Sequence, residues 1–127
     1  MKNREIIKNI NNLIQLQKDQ SEMIKKDLSL PRLPLKVVLA INRNKKRMID
    51  EYKTYESTLS QYLAENNTNI NSIASLSQEE QTKIMEEINN LQDVDVNIEI
   101  AKISECDFGD YIPTLEELDV LSFMIEF

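Results

Sequence analysis

Residues 34–65, PLKVVLAINRNKKRMIDEYKTYESTLSQYLAE, decide the fold. Apolar side chains recur through this stretch at intervals of three, four or seven residues, which is typical of an α-helix with one buried stripe. The members of the stripe are Val38, Ile41, Met48, Tyr52, Tyr55, Leu59 and Tyr62. Because proline is tolerated in the first helical turn, we predict a helix that begins at Pro34 or Leu35 and reaches Ala64 or Glu65, about 45 Å in length.

The segment before this helix, residues 3–27, shows the same helical period. Its apolar members are Ile6, Ile7, Ile10, Leu13, Ile14 and Leu16. Pro31 and Pro34 end the helix, because each lacks an amide donor and drives the preceding residue towards an extended conformation. Two long helices joined by so short a link predict an antiparallel hairpin. The apolar stripe could instead pair with a second copy of the chain, so a homodimer stays open, but we expect the intramolecular pairing.

The second half of the chain changes character after a polar loop at residues 66–72. Ser77, with Glu80 three residues later, has the capping-box pattern that opens a helix, and we expect this third helix to end near Asp93. The next residues, VDVNIEI at 94–100, alternate apolar and polar, which predicts a strand with one buried face. A lone strand needs a neighbour. Three neighbours stay open: residues 104–112, the C-terminus, or another chain.

A short fourth helix is expected after Pro113, because Thr114 and Glu117 repeat the capping-box pattern. Its expected buried face comprises Leu115, Leu118 and Leu121. The apolar last residues, 123–127, should dock into the core. These patterns together predict a mainly α protein of the α+β class, with a long antiparallel helical hairpin, two shorter helices and a small β element. We expect a single domain over residues 1–127, with a basic helical hairpin at 1–65 and an acidic helix–strand–helix part at 66–127.

The residue inventory limits the available chemistry. The chain has no histidine, one glycine and one cysteine, so histidine-dependent nucleophiles, zinc clusters and glycine-rich phosphate loops are unavailable. We therefore expect no enzyme, no catalytic residues, no metal ligands and no cofactor. Cys106 is interpreted as a small buried residue. The carboxylates beside Gly109 lack the spacing of a calcium loop, and we interpret them as a solvent-facing turn; they are Glu105, Asp107 and Asp110.

Localisation follows from the apolar pattern. The N-terminus, MKNRE, is polar and lacks the short apolar core of a signal peptide. No window approaches the roughly 20 consecutive apolar residues that a membrane-spanning helix needs. A single thiol fits a reducing compartment. We therefore expect a cytoplasmic protein that makes no membrane contact.

Charge is distributed unevenly between the two halves. Residues 1–64 contain 13 Lys and Arg against 7 Asp and Glu, a net charge of +6, whereas residues 65–127 contain 2 against 15, a net charge of −13. The basic residues of the long helix are Lys36, Arg43, Lys45, Lys46, Arg47 and Lys53. They could contact the phosphates of a nucleic acid. We favour a solvated face whose positive charge partly neutralises the acidic half.

Ten acidic residues form a candidate partner-binding face. They are Glu79, Glu80, Glu86, Glu87, Asp93, Asp95, Glu99, Glu116, Glu117 and Asp119. Carboxylates spread over a folded surface can imitate the charge spacing of a nucleic-acid backbone and so attract a basic protein. Ordinary solubilising charge is the simpler interpretation of the same residues, and both stay open.

Five stretches carry a family resemblance: NREII at 3–7, LPLKVVLAINRN at 33–44, YKTYE at 52–56, VDVNIEI at 94–100 and LSFMIE at 121–126. In this order the chain resembles a family of small uncharacterised proteins, classed as a domain of unknown function, that are encoded by phages and prophages of low-GC Gram-positive bacteria. The resemblance covers nearly the whole chain. It implies an origin and a fold, and it transfers no site residues, because none of the matching stretches carries catalytic or metal-binding groups.

The functional hypothesis combines this resemblance with the residue inventory. We expect a phage-encoded, non-enzymatic binding protein that acts by stoichiometric contact with another protein of the host or the phage. Inhibition of a host nuclease or a defence complex through the acidic half, in the manner of an anti-CRISPR protein, is the sharpest form of this hypothesis. The alternatives are a virion assembly component that uses an exposed strand edge and the apolar stripe, or a small nucleic-acid-binding protein that uses the basic helix at 36–53.

Overall fold

A computed structural model describes residues 1–126, and helices account for most of them. The α-helices are α1 (Asn3–Lys26), α2 (Leu35–Glu65), α3 (Gln78–Gln92) and α4 (Leu115–Leu121). Short 3-10 helices lie at Ile73–Ser75, Glu105–Phe108 and Ser122–Met124, and two short strands are β1 (Ile103–Ser104) and β2 (Ile125–Glu126). The predicted fold class is confirmed, and the predicted bounds of α1, α2 and α3 hold to within about one residue.

Helices α1 and α2 form the predicted antiparallel hairpin around the main core. Gln17 of α1 donates to the side chain of Asn42 of α2 at 2.9 Å, which fixes the contact on the exposed side of the pair. The buried side chains of the two helices are Ile6, Ile10, Leu13 and Leu16 with Val37, Ala40, Ile41 and Met48. Each large apolar side chain buried in this way contributes about 1.5–3 kcal/mol to folding. Of the predicted stripe of α2, Ile41, Met48 and Tyr55 are fully buried within the chain and the other four members are half-buried.

A second, smaller core lies at the far end of α2, beyond the reach of α1. Its buried members are Leu63 of α2 and Ile84 and Ile88 of α3. Ser77 caps α3 as expected, because its hydroxyl accepts a hydrogen bond from the amide of Glu80 at 3.2 Å. Helix α2 thus runs continuously through both cores.

The predicted strand at 94–100 is wrong as a strand, although its pattern of burial is right from Val96 onwards; Val94 is 50% exposed. Val96, Ile98 and Ile100 pack against the main core while the residues between them are exposed. The neighbour is the N-terminus, because the Val96 amide donates to the carbonyl of Met1 at 2.7 Å. One isolated bridge joins Lys2 to Asp95, and helix α1 begins at the next residue. The ladder cannot extend past Lys2, because the chain continues from there as helix α1. Alternating burial indicates an extended chain, but it does not identify a hydrogen-bonded neighbour.

The β element lies further along the chain. Strands β1 and β2 pair in parallel, with Ile103 opposite Ile125, and both side chains are buried in the main core. Met124 is also buried, so the predicted docking of the apolar C-terminal segment is confirmed through Glu126. Phe127 lies outside the described residues.

Two predictions of burial near the C-terminus are wrong. Leu115 is 86% exposed, because it lies at the start of the seven-residue helix α4, and only Leu121, at the other end of that helix, is fully buried. Cys106 is exposed as well. It lies in the 3-10 helix at Glu105–Phe108, whose one buried side chain is Phe108, so the core takes the aromatic ring instead of the thiol.

Candidate functional site

An open groove of about 900 Å³ runs between α1 and the segment 111–120. One wall is the stretch of α1 from Lys8 to Lys26, and the other comprises residues 111–120. The apolar lining residues are Leu16, Met23, Ile24, Leu30, Ile112 and Val120. Two of them are largely exposed, Ile112 at 87% and Met23 at 53%. The groove therefore combines a concave shape with exposed apolar side chains.

The groove exists because α4 covers only part of α1. Helix α4 is seven residues long and packs against α1 through one end of its face, with Leu121 buried below. Before it, Gly109 adopts a positive φ of 57°, a conformation that glycine tolerates and that turns the chain back towards α1. Pro113 then keeps the wall extended. The two walls are therefore separated by an open channel that no side chain of the described residues fills.

A polar cluster at the base of the groove joins the two walls. The side-chain amide of Gln20 on α1 donates to the phenol oxygen of Tyr111 and to the carboxylate of Glu117, both at 2.7 Å. The phenol of Tyr111 in turn donates to the same carboxylate oxygen of Glu117 at 2.7 Å. The other oxygen of Glu117 accepts from the amide of Thr114 at 3.0 Å. This network ties the two walls to each other.

The phenol of Tyr111 is held in its protonated form by this environment. Burial of the ring, together with the hydrogen bond to the Glu117 carboxylate, raises the pKa of Tyr111 to about 12. A group with so high a pKa keeps its proton at neutral pH and is a poor general acid or base there. The cluster therefore holds the two walls together with Tyr111 in its protonated form.

Negative charge dominates the rim of the groove. Five carboxylates line it against two lysines, and they are Asp19, Glu22, Glu116, Glu117 and Asp119 against Lys8 and Lys26. Within residues 1–126 none of the seven takes part in an ion pair. Their formal net charge is −3, of which Glu117 is held by hydrogen bonds to Gln20, Tyr111 and Thr114.

The structure distributes the ten predicted acidic residues over separate surfaces. Three of them, Glu116, Glu117 and Asp119, lie at the groove. Four lie exposed on α3, and they are Glu79, Glu80, Glu86 and Glu87. Helix α4 meets α1 at Gln20, whereas the end of α3 meets α1 at Asn3, whose side chain donates to the carbonyl of Leu91. Those two points are about 25 Å apart along α1.

The remaining acidic residues are occupied or isolated. Asp93 accepts an ion pair from Arg4 at 2.7 Å, and Asp95 lies 3.9 Å from the N-terminal ammonium group. Glu99 is exposed, and its backbone carbonyl accepts a hydrogen bond from Arg47. The ten carboxylates thus form no single face.

Half of the predicted basic set is used within the chain. Lys36 pairs with Asp107 at 2.8 Å, and this hydrogen bond raises the pKa of Lys36 while lowering the pKa of Asp107. Lys45 donates to the side chain of Gln17, and Arg47 donates to the carbonyl of Glu99 at 2.8 Å. The basic side chains left exposed without such a contact are those of Arg43, Lys46 and Lys53.

Two further findings bear on cofactors and membranes. Among residues 1–126, no group of three or more Asp, Glu, Cys or His side chains is placed to hold a metal ion. No described helix is both long and apolar enough to cross a membrane.

The groove residues were not anticipated from the sequence. By its spacing Met23 extends the apolar stripe of α1, which predicts burial, and Ile112 enters the prediction only at the end of residues 104–112, a possible neighbour of the strand. A usable signal was present, because polar residues of α1 repeat at spacings of four and three on a second face. That face comprises Lys8, Asn12, Gln15, Asp19, Glu22 and Lys26, and all of them line the groove.

Comparison with known proteins adds no relative. No protein-family model matches the chain, and no significantly similar protein was found among curated proteins or among solved structures. The functional assignment therefore depends on the groove itself.

Proposed function

We propose that this chain is a non-enzymatic binding protein that holds a segment of another protein in the groove between α1 and residues 111–120. The observation that carries the proposal is the groove's combination of exposed apolar side chains, Met23 and Ile112, with a rim of net charge −3. Protein interfaces combine an apolar centre with a polar rim in this way. The Gln20–Tyr111–Glu117 network supports a preformed site, and preorganisation lowers the cost of binding.

The chemistry of the groove supports binding over catalysis. Its titratable groups are carboxylates, lysines and the phenol of Tyr111, whose pKa of about 12 keeps it protonated. The chain contains no histidine that could titrate near neutral pH. A stoichiometric complex is the role that these residues fit best.

The partner that we propose is a protein of the host or of the phage, met in the cytoplasm of an infected cell. The resemblance of the sequence to phage and prophage proteins motivates this setting. A host nuclease or a defence complex is the sharpest version, because enzymes that bind nucleic acids carry basic surfaces that suit a negative rim. On this proposal the acidic contribution comes from Glu116 and Asp119 at the groove, with α3 as a separate surface.

Two other functions have less support. Virion assembly was suggested by a free strand edge and the apolar stripe of α2, but residues 94–100 lie against the N-terminus and the stripe is packed within the chain. Nucleic-acid binding was suggested by the basic helix, but Lys36, Lys45 and Arg47 are engaged internally. The exposed remainder, with Lys53 in a shallow depression beside Thr54 and Ser57, offers no aromatic ring on which a base could stack.

The test compares a groove variant with a matched surface variant. The groove variant is Met23→Lys with Ile112→Lys. The control is Met85→Lys with Ile70→Lys, which changes two apolar side chains of similar exposure, 46% and 63%, at the other end of the molecule. Proteins captured from host lysate, with and without infection, would be identified by mass spectrometry, purified and titrated against each variant by calorimetry.

We expect a partner that forms a one-to-one complex with the wild-type chain and with the control variant. The same partner should show no measurable binding to the groove variant. Circular dichroism should show that all variants keep the helical fold, since every changed side chain is exposed. A partner that binds the groove variant as tightly as the wild type would contradict the proposal. If such a partner were lost instead on Glu79→Lys with Glu80→Lys, the acidic face of α3 would be the interface.

A further inference from the structure

We propose that the occupant of the groove is an α-helix of the partner, apolar on the face that enters and flanked by Lys and Arg. This inference rests on the proposed function and adds the conformation and the charge of the ligand. Three observations lead to it: the backbone of the two walls, the spacing of side chains along α1, and the charge of the rim.

The walls offer almost no backbone to an incoming strand. Along α1 the amides and carbonyls are used within the helix. In the opposite wall, the amide of Tyr111 donates to Phe108 O at 3.0 Å and the amide of Thr114 donates to Glu117. Pro113 has no amide hydrogen, which leaves Ile112 as the one amide between 111 and 114, within the described chain, that an added strand could use. Strand addition needs a run of free donors as well as acceptors, so the shortage of free amides favours recognition by side chains.

Side chains along α1 form a straight seam suited to a neighbouring helix. Lys8, Asn12, Gln15, Asp19, Glu22 and Lys26 recur at spacings of 4, 3, 4, 3 and 4 residues. This is the spacing at which one helix packs along another. The seam runs over 19 residues of α1, about 27 Å from Lys8 to Lys26, and the short helix α4 flanks only one part of it. A partner helix of four to five turns would lie along the whole seam.

The apolar part of the groove sets where this helix is anchored. The exposed apolar residues of the groove are Met23 and Ile112, near the contact between Gln20 and Tyr111, whereas the lining residues from Lys8 to Gln15 are polar. Apolar side chains at positions i, i+3 or i+4, and i+7 of a helix project from one face and would meet these two residues together. The polar remainder of the partner helix would then lie beside the carboxylate rim.

The rim selects the charge of that helix. Asp19, Glu22, Glu116 and Asp119 are exposed on both sides of the apolar part. Lys or Arg flanking the apolar face would find unpaired carboxylates there, whereas an acidic helix would place like charges together, which costs several kcal/mol when groups are close. A second copy of this groove face is an unfavourable occupant for the same reason.

The test uses a designed peptide as the probe. It is an amphipathic helix of about 18 residues with Leu on one face and Lys on the other. One control peptide keeps the Leu positions and replaces Lys with Glu, and a second scrambles the Leu and Lys order so that no apolar face forms. Each is titrated against the full-length, isotope-labelled chain, with amide shifts mapped by NMR and Kd measured by fluorescence anisotropy at two ionic strengths.

We expect the Leu/Lys helix to bind one-to-one and to shift amides around Gln20, Met23 and Ile112. The Leu/Glu helix should bind at least about tenfold more weakly, and added salt should narrow that difference. Glu116→Lys with Asp119→Lys should weaken binding by about tenfold, while Glu79→Lys with Glu80→Lys, the same change of charge on α3, should leave it nearly unchanged. Both pairs are exposed, and Glu117 is spared because it caps α4.

Several outcomes would overturn the proposal. If the scrambled peptide bound as tightly as the Leu/Lys helix, binding would reflect charge attraction alone. The same would follow if Glu79→Lys with Glu80→Lys weakened binding as much as Glu116→Lys with Asp119→Lys. Self-association of the chain, with shifts at the same residues and no peptide present, would make a second copy the occupant. If the Leu/Lys helix fails while a captured partner still depends on Met23 and Ile112, only the helix is refuted. If that partner ignores both residues, the binding groove is refuted as well.

Discussion

Asn44 and Ala101 exchange two hydrogen bonds between a side chain and a backbone. The amide nitrogen of Asn44 donates to the carbonyl of Ala101 at 2.9 Å, and the amide of Ala101 donates to the Asn44 oxygen at 2.7 Å. Asn44 is fully buried on α2. Its side chain bonds both backbone groups of Ala101, as a neighbouring strand would. One side chain of a helix therefore takes the place of a paired strand at this residue.

Replacing Asn44 by leucine tests this relationship with the same number of side-chain heavy atoms and the same branching. Asn44→Leu removes both bonds and leaves the partly buried amide and carbonyl of Ala101 without these partners. We expect the free energy of unfolding to fall by about 2–4 kcal/mol, because unsatisfied buried polar groups carry their full desolvation cost. Urea denaturation followed by circular dichroism measures it. The exposed control Asn90→Ala should stay within about 0.5 kcal/mol of the wild type, and equal stability of Asn44→Leu would show that the pair contributes nothing.

Helix α4 offers a comparison between two leucines six residues apart. Leu121 is fully buried and Leu115 is almost fully exposed. We expect Leu121→Ala to cost about 2–5 kcal/mol through lost burial and the cavity left behind, and Leu115→Ala to change stability by less than about 0.5 kcal/mol. Thermal and urea unfolding of both variants would measure the difference. Similar losses in the two would mean that α4 buries its first turn after all.

Tyr62 is the opposite case, because its buried hydroxyl makes no hydrogen bond with the described residues. Its oxygen is inaccessible and has no hydrogen-bond partner among the described residues, although its ring packs on the smaller core. Because a buried hydroxyl without a bond is destabilising, we expect Tyr62→Phe to raise the free energy of unfolding by up to about 1 kcal/mol. Comparing the urea denaturation midpoints of the wild type and Tyr62→Phe measures this change in stability. A less stable phenylalanine variant would point to a hydrogen bond at Tyr62 in solution.

Tyr111 makes stability depend on alkaline pH. Its pKa is raised to about 12 in the folded chain, whereas an unfolded tyrosine titrates near 10. The folded state therefore holds the proton more tightly, so this contribution to stability is fully present below about pH 10 and is lost as pH rises through about 12. We expect the wild type to lose more stability across this window than Tyr111→Phe does. Denaturation at successive pH values, with phenolate absorbance as a second readout, would measure it, and parallel curves would contradict the shift.

The long helices were predictable because their signals are local. Apolar spacing located α1 and α2, and a single capping side chain, Ser77, located the start of α3. Such patterns depend on residues within one or two turns of each other. They predicted the hairpin as well, since a link of eight residues between long helices leaves few other arrangements.

Features that depend on distant residues could not be predicted in the same way. The extended segment meets the N-terminus and Asn44, and nothing local in residues 94–101 specifies either neighbour. The groove arises because α4 is too short to cover α1, and Ile112 is exposed by that shortfall. Glu116 lies on α4, which meets α1 at Gln20, whereas Glu79 lies on α3, which meets α1 at Asn3. The order of acidic residues along the chain does not reveal this separation.

Because α2 is one unbroken helix shared by two cores, the molecule is expected to open in stages. Only Leu63, Ile84 and Ile88 are fully buried in the smaller core, so α3 and the end of α2 can separate from each other while the main core stays intact. Amide hydrogen exchange would then show two cooperative units of unequal free energy within a single helix. Protection along α2 should fall in one step, between the turn that carries Met48 and the turn that carries Leu63.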